Sequence, residues 1–426
     1  MKYEAQGRTL KTTISVNGTG DVTFLAENVR YERTGVHAKV AILHNATYLD
    51  YDVFNVDRSE DRRRLVLSAQ RQFGKANAMR YGTEIMKADL DRFCLGLEVE
   101  WQRRIPMTTL YGLVDDTDPA PPPFLAWPLI LAGQPNLLFG ERSSAKSLTA
   151  TILVVSLLLP PWQGPFRLKI REESIRSLWL DWEWGQADIQ YHIQRLCRGH
   201  RVGPIEIAHQ PMIGPLSRNV ALAQRLRQET KAEFMICDSV TMASGVTDLN
   251  KPEGAIALYD SIREIGGTWL LLAHTSKDPL QQTKTAFGSQ VYESQARNVW
   301  ECVKTEPTGD TIEVGLFHRK SPPFTGRVKP LGYRVEFIAQ PASLLATAMD
   351  PRSVPEWDSK LTDRERILQA LRHGSVSRKD LAGEIGLKPD AFRQALKRLR
   401  DQGRVQERGE RIELAETRHD ECDSVT

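Results

Sequence analysis

Cysteine is scarce in this sequence, and the cysteines present are far apart. The 426-residue chain has five of them, Cys94, Cys197, Cys237, Cys302 and Cys422. None forms a CxxC pair, and together they do not have the spacing of a four-ligand zinc site. This pattern argues against a disulfide framework and a structural zinc, and it favours a reducing, cytoplasmic environment.

Long apolar runs are also absent. The most apolar stretch, "LTATILVVSLLLPPW" at 148–162, is too short to span a bilayer. The first residues, "MKYEAQGRTLKTT", lack the apolar segment of a signal peptide. We therefore expect no export and no membrane partner.

The chain has little excess charge of either sign. Lys and Arg number 57 against 54 Asp and Glu, which leaves a formal net charge of +3. Average charge therefore gives no indication of a nucleic-acid binder. Any DNA-binding surface must be a local concentration of cations.

The length and two irregular stretches divide the chain into modules. A chain of this size favours two or three domains. Proline-rich "DDTDPAPPPF" indicates an extended linker, and hydrophobic periodicity is lost a second time before the C-terminal module. The predicted order is an α+β N-terminal module of unassigned role (1–114), a linker (115–127), a central α/β domain (128–337), a linker (338–360), a helical module (361–414) and a disordered tail (415–426).

Short apolar runs alternate with amphipathic stretches through the central domain. Six runs are typical of strands: "PNLLF", "SLWLDW", "AEFMICDS", "TWLLLAH", "NVWECV" and "TIEVGLF". Helix-like stretches such as "SRNVALAQRLRQETK" lie between several of them. Apolar strands separated by helices indicate a mostly parallel sheet covered on both faces.

The segment "GERSSAKS" lies between the first of these strands and a helix. A strand, a small-residue loop and a helix are what a phosphate-binding loop (P-loop) needs, because backbone N–H groups and the helix N-terminus must converge on phosphate oxygens. Lys146 would reach the β and γ phosphates, and the Ser147 hydroxyl would hold Mg²⁺. The candidate nucleotide-binding residues are Gly140, Glu141, Arg142, Ser143, Ser144, Ala145, Lys146, Ser147 and Leu148. The alternative is a serine-rich turn that caps a helix.

Ala145 departs from the usual P-loop pattern, which has Gly immediately before the Lys. A Cβ is penalised mainly at positive φ, so the alanine is tolerable if this position keeps a negative φ. Small residues at 143–145 still let the backbone approach phosphates. The departure bears on nucleotide affinity and turnover and leaves the fold assignment in place.

Polar residues follow three of the apolar runs. Asp238 ends "FMICD", Glu183 follows "SLWLDW", and His274 ends "TWLLLAH". Ligands of open α/β sheets bind at the carboxyl ends of strands, so these side chains are candidates for Mg²⁺ coordination, general-base catalysis and γ-phosphate sensing. A cap, an exposed glutamate and an ordinary strand-end histidine are the respective alternatives.

Together these residues resemble the RecA-like P-loop ATPases, and within them the RepA-like hexameric helicases, AAA family ATPases of plasmid and phage replication modules. The resemblance rests on "LLFGERSSAKS", "LDWE", "FMICDS" and "LLLAHTSKD". It implies a RecA-like core that binds ATP and Mg²⁺, with Lys146 and Ser147 at nucleotide and metal. It also implies Glu183 as catalytic base, Asp238 at Mg²⁺, His274 as sensor, and a homo-oligomeric, hexameric ring.

The resemblance further implies two elements that act on DNA or between subunits. The segment "SKDPLQQTKTAFGSQ" would face the ring channel, where Lys277 and Lys284 are candidates to bind single-stranded DNA. The segment "FHRKSPPFTGR" offers Arg319, Lys320 and Arg327 as a finger for the neighbouring subunit's site. A plain surface loop and a solvated basic loop are the alternatives.

The C-terminal module follows the pattern of a winged helix-turn-helix. Its first helix begins with a capping box of Thr362 and Glu365, and "RVQERGERIEL" has the pattern of a hairpin wing. In its third helix, Arg393, Lys397 and Arg400 share one face. A basic helix face predicts contact with duplex DNA, and a protein-docking module is the alternative.

These features favour an ATP-hydrolysing DNA motor or remodeller, specifically a ring-forming replicative helicase or helicase-like ATPase of a mobile genetic element. Two other functions fit the same sequence. One is a nucleotide-switched DNA-binding regulator with slow turnover. The other is a helicase loader or recombination accessory ATPase that unwinds nothing by itself.

Overall fold

A computed structural model describes residues 3–415 except 7–8, 33–34, 103–122, 161, 163, 167, 184, 247, 249, 276–289 and 326–327. The chain divides into two compact units. The first contains Met1–Pro121, Met212–Lys231 and Thr241–Gly266, and the second contains Pro122–Pro211, Ala232–Val240 and Gly267–Thr426. No helix among the described residues is both long and apolar enough to cross a bilayer.

The N-terminal residues form a five-stranded antiparallel sheet followed by three helices. The elements are β1 (Glu4–Gln6), β2 (Thr9–Val16), β3 (Gly20–Glu32), β4 (Gly35–His44), β5 (Thr47–Asn55), α1 (Ser59–Phe73), α2 (Lys75–Arg80) and α3 (Thr83–Gln102). The strands pair in chain order. Alternate residues of β3, such as Val22 and Phe24, share one core with Leu65 of α1 and Leu90 of α3. One face of this sheet is therefore covered by its own helices.

The central part of the chain alternates strands and helices. In order they are β6 (Phe124–Trp127), β7 (Ile130–Leu131), β8 (Pro135–Gly140), α4 (Lys146–Leu158), β9 (Lys169–Ile170), β10 (Ser177–Asp181), α5 (Gln186–His200), β11 (Ala208–Pro211), α6 (Val220–Thr230), β12 (Phe234–Asp238), α7 (Val240–Ser244), α8 (Pro252–Ile265), β13 (Thr268–His274), α9 (Gln290–Gln295), β14 (Asn298–Lys304), β15 (Thr311–Lys320), β16 (Leu331–Ile338) and β17 (Ser343–Met349).

Nine of these strands form one sheet, in the order β11-β10-β12-β13-β8-β14-β15-β16-β17. Pairing is parallel from β11 to β14 and antiparallel from β14 to β17. The five residues of β10 and of β12 are all buried. The predicted mostly parallel central sheet is confirmed, and the carboxyl ends of its six parallel strands, β11, β10, β12, β13, β8 and β14, lie at the same edge.

The second predicted linker, 338–360, is wrong as a linker. Residues Ser343–Met349 form β17, which pairs antiparallel with β16 and buries Leu344. The rest is largely two 3-10 helices, Pro351–Ser353 and Pro355–Lys360. The prolines on both sides of "SLLATAM" hid a strand whose apolar residues complete the sheet. Part of the first predicted linker also forms a strand, β6, and its residues 115–122 lie outside the described part of the chain.

The C-terminal residues form three helices and a small antiparallel sheet. They are α10 (Asp363–Ala370), β18 (Val376–Ser377), α11 (Arg378–Ile385), α12 (Pro389–Asp401), β19 (Val405–Arg408) and β20 (Arg411–Leu414), with the strands in the order β18-β20-β19. Both hydrogen bonds of the predicted capping box are present: the Glu365 N–H donates to Thr362 Oγ1 at 3.2 Å, and the Thr362 N–H donates to Glu365 Oε2 at 2.7 Å. Phe392 and Leu396 of α12 join Ile367 and Leu381 in a separate core.

Candidate active site

The P-loop connects β8 to α4, and its first glycine is required by the space around it. A Cβ at Gly140 would lie 2.2 Å from the Cys302 carbonyl oxygen and 2.5 Å from Ser144 Oγ. The Cys302 thiol also donates to the Ser144 carbonyl at 2.9 Å. Strand β14 therefore holds the loop closely on one side, and a side chain at Gly140 would push the two apart.

Ala145 adopts a left-handed conformation, with φ of 68° and ψ of 23°. The negative φ on which an unstrained alanine depends is therefore not met at this position. Ser143 is left-handed as well, at φ of 57°. An L-residue in this region costs roughly 1–2 kcal/mol, which is why Gly is the usual residue before the P-loop lysine. This loop keeps the P-loop path and carries backbone strain at two positions.

Lys146 is 6% exposed, and its ammonium is satisfied by loop oxygens. Nζ donates to the carbonyls of Glu141 at 2.8 Å and Gly140 at 3.1 Å, and it lies 3.3 Å from His274 Nδ1. Burial lowers the pKa of Lys146. An anionic phosphate oxygen could replace these neutral carbonyl acceptors and would bind the ammonium more strongly, because donor and acceptor would then both be charged.

Asp238, at the end of β12, has the features of a metal ligand. It is 3% exposed, and its Oδ2 has no hydrogen-bond partner. Burial raises its pKa to about 7, with a further upward contribution from Glu183 and Asp181, while a hydrogen bond from Ser147 acts the other way. A buried carboxylate oxygen without a donor requires a proton or a cation.

The side chains at this site suit Mg²⁺ better than they suit a metal ion whose ligands all come from protein side chains. Within the described residues, no group of three or more His, Cys, Asp and Glu side chains could hold a metal ion. Ser147 and Asp238 supply a hydroxyl and a carboxylate in mutual contact. Mg²⁺ commonly takes one or two protein oxygens and completes its shell with water and phosphate.

Glu183 lies two residues beyond β10 and is held at three points. Ser239 Oγ donates a hydrogen bond to Oε1, His274 Nε2 lies 3.7 Å from Oε2, and the Glu183 N–H donates to Asp181 Oδ1 at 3.0 Å. The His274 imidazole lowers the pKa of Glu183, and the Ser239 hydroxyl adds to this against the effect of burial. Glu183 is therefore ionised at neutral pH and can accept a proton.

Sequence reasoning missed two side chains that support this acid, Ser239 and His209. Asp181 pairs in register with Asp238 and accepts from His209 Nε2, at the edge strand β11, at 3.0 Å. Asp181 thus connects His209 to the backbone of Glu183. The only signal for His209 was a polar residue in the short stretch "IEIAHQP", which lacks the apolar run that identified the other strands.

The structure assigns Arg319 and Lys320 to contacts within the chain. Arg319 Nε donates to Glu301 Oε2 at 2.8 Å, and Lys360 Nζ donates to the other oxygen of the same buried carboxylate. Lys320 Nζ donates to three carbonyls, including that of Ala296 at 2.7 Å. Neither cation extends freely from β15, because Glu301 and the end of α9 hold them.

The remaining predicted interface residues fall into two groups. Arg327, Lys277 and Lys284 lie outside the described residues. On α12, the side chains of Arg393 and Arg400 are 68% and 52% exposed, with ion-pair partners Asp390 and Glu407 at 3.2 and 3.3 Å.

Lys397, which lies between Arg393 and Arg400 in the sequence, is also exposed. The three side chains line one groove. The three cations therefore share one accessible face.

Comparison with known proteins agrees with this geometry. Residues 104–279 match the model of an AAA domain family. That match, the P-loop and the mixed sheet support a RecA-like P-loop ATPase fold for the central domain.

A solved structure of a KaiC-like protein from the hyperthermophilic archaeon Pyrococcus horikoshii is 16% identical and covers 51% of this chain and 93% of its own, with a TM-score of 0.35. No curated protein matches the sequence.

Proposed function

We propose that the protein is an ATP-hydrolysing DNA motor or remodeller, a ring-forming replicative helicase or helicase-like ATPase of a mobile genetic element. The observation that carries the proposal is the arrangement of His274 between Lys146 and Glu183. Its Nδ1 lies 3.3 Å from Lys146 Nζ, and its Nε2 lies 3.7 Å from Glu183 Oε2. One imidazole thus connects the cation of the P-loop with the ionised acid.

Each residue then has a distinct part in hydrolysis. The P-loop N–H groups and Lys146 would bind the phosphates, and Ser147 and Asp238 would hold Mg²⁺, which would supply positive charge beside them. Glu183 Oε2 accepts a proton from the attacking water. His274 responds to the presence of the γ-phosphate, because Lys146 must leave its present partners to reach that group.

Coupling to DNA rests on the C-terminal module. The order of its helices and strands fits a winged helix-turn-helix, and α12 presents Arg393, Lys397 and Arg400 on its exposed face. Duplex DNA is the ligand that a basic helix of this kind suits. Single-stranded DNA in the ring channel, contacted by Lys277 and Lys284, remains part of the proposal. So does a finger from the neighbouring subunit, for which Arg327 is the remaining candidate.

One observation favours a second function, the nucleotide-switched DNA-binding regulator. Ala145 and Ser143 strain the loop, and Lys146 is bonded to loop oxygens that it must release. Both features oppose the rearrangement that the loop must undergo around a nucleotide, and a slow cycle of this kind suits a switch. A loader or accessory ATPase without unwinding activity would use the same site.

Steady-state ATP hydrolysis with and without single-stranded and duplex DNA tests the proposal. The variants are Lys146→Ala and Glu183→Gln, and Glu253→Gln, at an exposed position of α8, is the matched control. We expect DNA-stimulated hydrolysis in wild type and the control, and about 100-fold less in both site variants. Tight ATP binding with negligible turnover would support the switch instead. Unstimulated turnover would contradict a DNA motor.

A further inference from the structure

A second group of cations lies where the C-terminal helices meet the central sheet. Lys329 precedes β16, Arg352 belongs to the 3-10 helix after β17, Arg372 follows α10, and Arg404 follows α12. We call these four residues the basic patch. Lys329, Arg372 and Arg404 are exposed, and the Arg352 side chain is 16% exposed. The patch thus combines two residues of the sheet region with two of the C-terminal module.

Among the described residues, one carboxylate, that of Asp350, pairs with cations of the basic patch. Asp350 pairs with Arg352 Nη2 and Arg372 Nη2, each at 2.7 Å. Although burial opposes it, hydrogen bonds from these two guanidinium groups hold the pKa of Asp350 well below its usual range. Asp350 is therefore an anion that bridges both regions, and it neutralises one of the four positive charges.

The other two cations have no carboxylate at ion-pair distance among the described residues. Burial lowers the pKa of Lys329, and repulsion from Arg404, Arg352 and Arg372 lowers it further than Asp350 can restore. Arg404 is held by its backbone, whose carbonyl accepts from the Ala415 N–H at 3.1 Å. The fold thus brings four cations together around one carboxylate, and a bound anion would relieve the repulsion that remains.

The basic patch is close along the chain to the cations of α12. Arg404 lies three residues beyond the end of the helix that carries Arg393, Lys397 and Arg400. Three of the four patch residues are arginines, whose planar guanidinium groups suit phosphate oxygens. The ligand that best suits the patch is therefore a row of phosphodiester groups in the same duplex that α12 contacts.

We propose that the basic patch binds the phosphate backbone of the duplex DNA that α12 contacts, so that one DNA segment touches both the C-terminal module and the sheet region. This rests on the proposed DNA-binding function. The contact is independent of base sequence, because phosphates carry no sequence information. Bound DNA would then alter the contact between the C-terminal module and the sheet region.

The test is a fluorescence-anisotropy titration of a duplex at several salt concentrations, with the full chain. It compares wild type, the patch variant Lys329→Ala/Arg404→Ala, the helix variant Arg393→Ala/Lys397→Ala, and the control Lys169→Ala/Arg225→Ala, which removes two exposed cations elsewhere. We expect the patch variant to bind about tenfold more weakly near 0.1 M salt, with a salt slope lower by about 2. The loss should be equal for unrelated duplex sequences.

Two results would overturn the proposal while DNA binding by the protein stands, and a third, the absence of any DNA binding, would overturn the proposed function with it. If the helix variant loses affinity and the patch variant equals the control, α12 binds DNA and the patch does not. If no form binds DNA, the proposed function fails as a whole. The chain's own acidic C-terminal sequence is the other candidate anion. This alternative needs a further variant in which Glu416, Asp420, Glu421 and Asp423 are neutralised. If the patch substitutions reduce DNA affinity only in that variant, the patch of the unaltered chain binds the acidic segment and not DNA.

Discussion

Glu301 and Asp238 are two carboxylates in one sheet, each 3% exposed, and they are treated differently by their surroundings. Glu301 receives Arg319 on one oxygen and Lys360 on the other. Asp238 receives the Ser147 hydroxyl and has an oxygen without any hydrogen-bond partner. Burial is the same in the two cases, so burial alone does not distinguish a structural acid from a functional one.

The difference lies in whether the fold supplies the counter-charge. Glu301 is satisfied within the chain, and its cations join β14 and β15 to the residues that precede α10. Asp238 is left with a pKa raised to about 7 by burial, next to Lys146 and Glu183. An incompletely neutralised acid at the carboxyl edge of a parallel sheet is expected where a ligand brings the missing cation.

The largest expected effect comes from replacing the unsatisfied acid. Asp238→Asn keeps the shape and removes the charge that would hold Mg²⁺, so we expect ATP hydrolysis to fall about 1,000-fold. The measurement is steady-state turnover at saturating Mg²⁺. Asp260→Asn, which alters an exposed ion pair with Arg263, is the control and should retain wild-type turnover. Normal activity in Asp238→Asn would remove Asp238 from the site.

Stability without Mg²⁺ and nucleotide should depend on pH through Asp238. Its folded pKa is about 7 against an ordinary 3.8, so ionisation destabilises the fold. The loss is absent below about pH 4, grows up to about pH 7 and is constant above, reaching up to about 4 kcal/mol. Denaturant unfolding across this range measures it. In Asp238→Asn this part of the pH dependence should disappear, and a profile unchanged from wild type would contradict the assignment.

Removing the satisfied acid should affect stability instead. Glu301→Gln leaves Arg319 and Lys360 without a carboxylate, and we expect the free energy of unfolding to fall by about 3 kcal/mol. Glu313→Gln is the matched control, because its partner Arg334 is 57% exposed, and it should cost under about 1 kcal/mol. Activity of the folded Glu301→Gln protein should be near normal. If Glu301→Gln lowered the free energy of unfolding by less than Glu313→Gln does, Glu301 would not be the structural acid that we contrast with Asp238.

The smallest expected effect concerns the loop beside Asp238. Ala145→Gly relieves the left-handed strain and should raise stability by about 1 kcal/mol or less, since Gly also adds freedom to the unfolded chain. Ala88→Gly, at an exposed helical position, should instead cost about 1 kcal/mol. Thermal unfolding of both variants is the measurement. Equal losses would show that Ala145 is not strained.

Local pattern and strand direction predict much of this arrangement. Glu183, Asp238 and His274 each follow an apolar run, and parallel strands bring such ends to one edge, where the structure places them with Lys146. Their catalytic roles stay predictions.

The features that could not be predicted from the sequence depend on contacts between residues that are far apart along the chain. The left-handed conformation of Ala145 follows the usual glycine of the P-loop pattern, but the close packing of the loop against β14, at Gly140 and Ser144, is not visible in any local pattern. The engagement of Arg319 depends on Glu301 and Lys360, separated from it by 18 and 41 residues. Strand β17 was missed for a different reason, since flanking prolines suggested a linker and only its pairing with β16 shows otherwise.

Mg²⁺ dependence of ATP binding in three proteins tests the central claim most directly. Wild type, Asp238→Asn and Glu301→Gln are titrated with ATP at increasing Mg²⁺, with binding followed by calorimetry. We predict that Mg²⁺ tightens ATP binding to wild type and Glu301→Gln and has no such effect on Asp238→Asn. Mg²⁺-dependent binding that survives in Asp238→Asn, or that is lost in folded Glu301→Gln, would contradict the account.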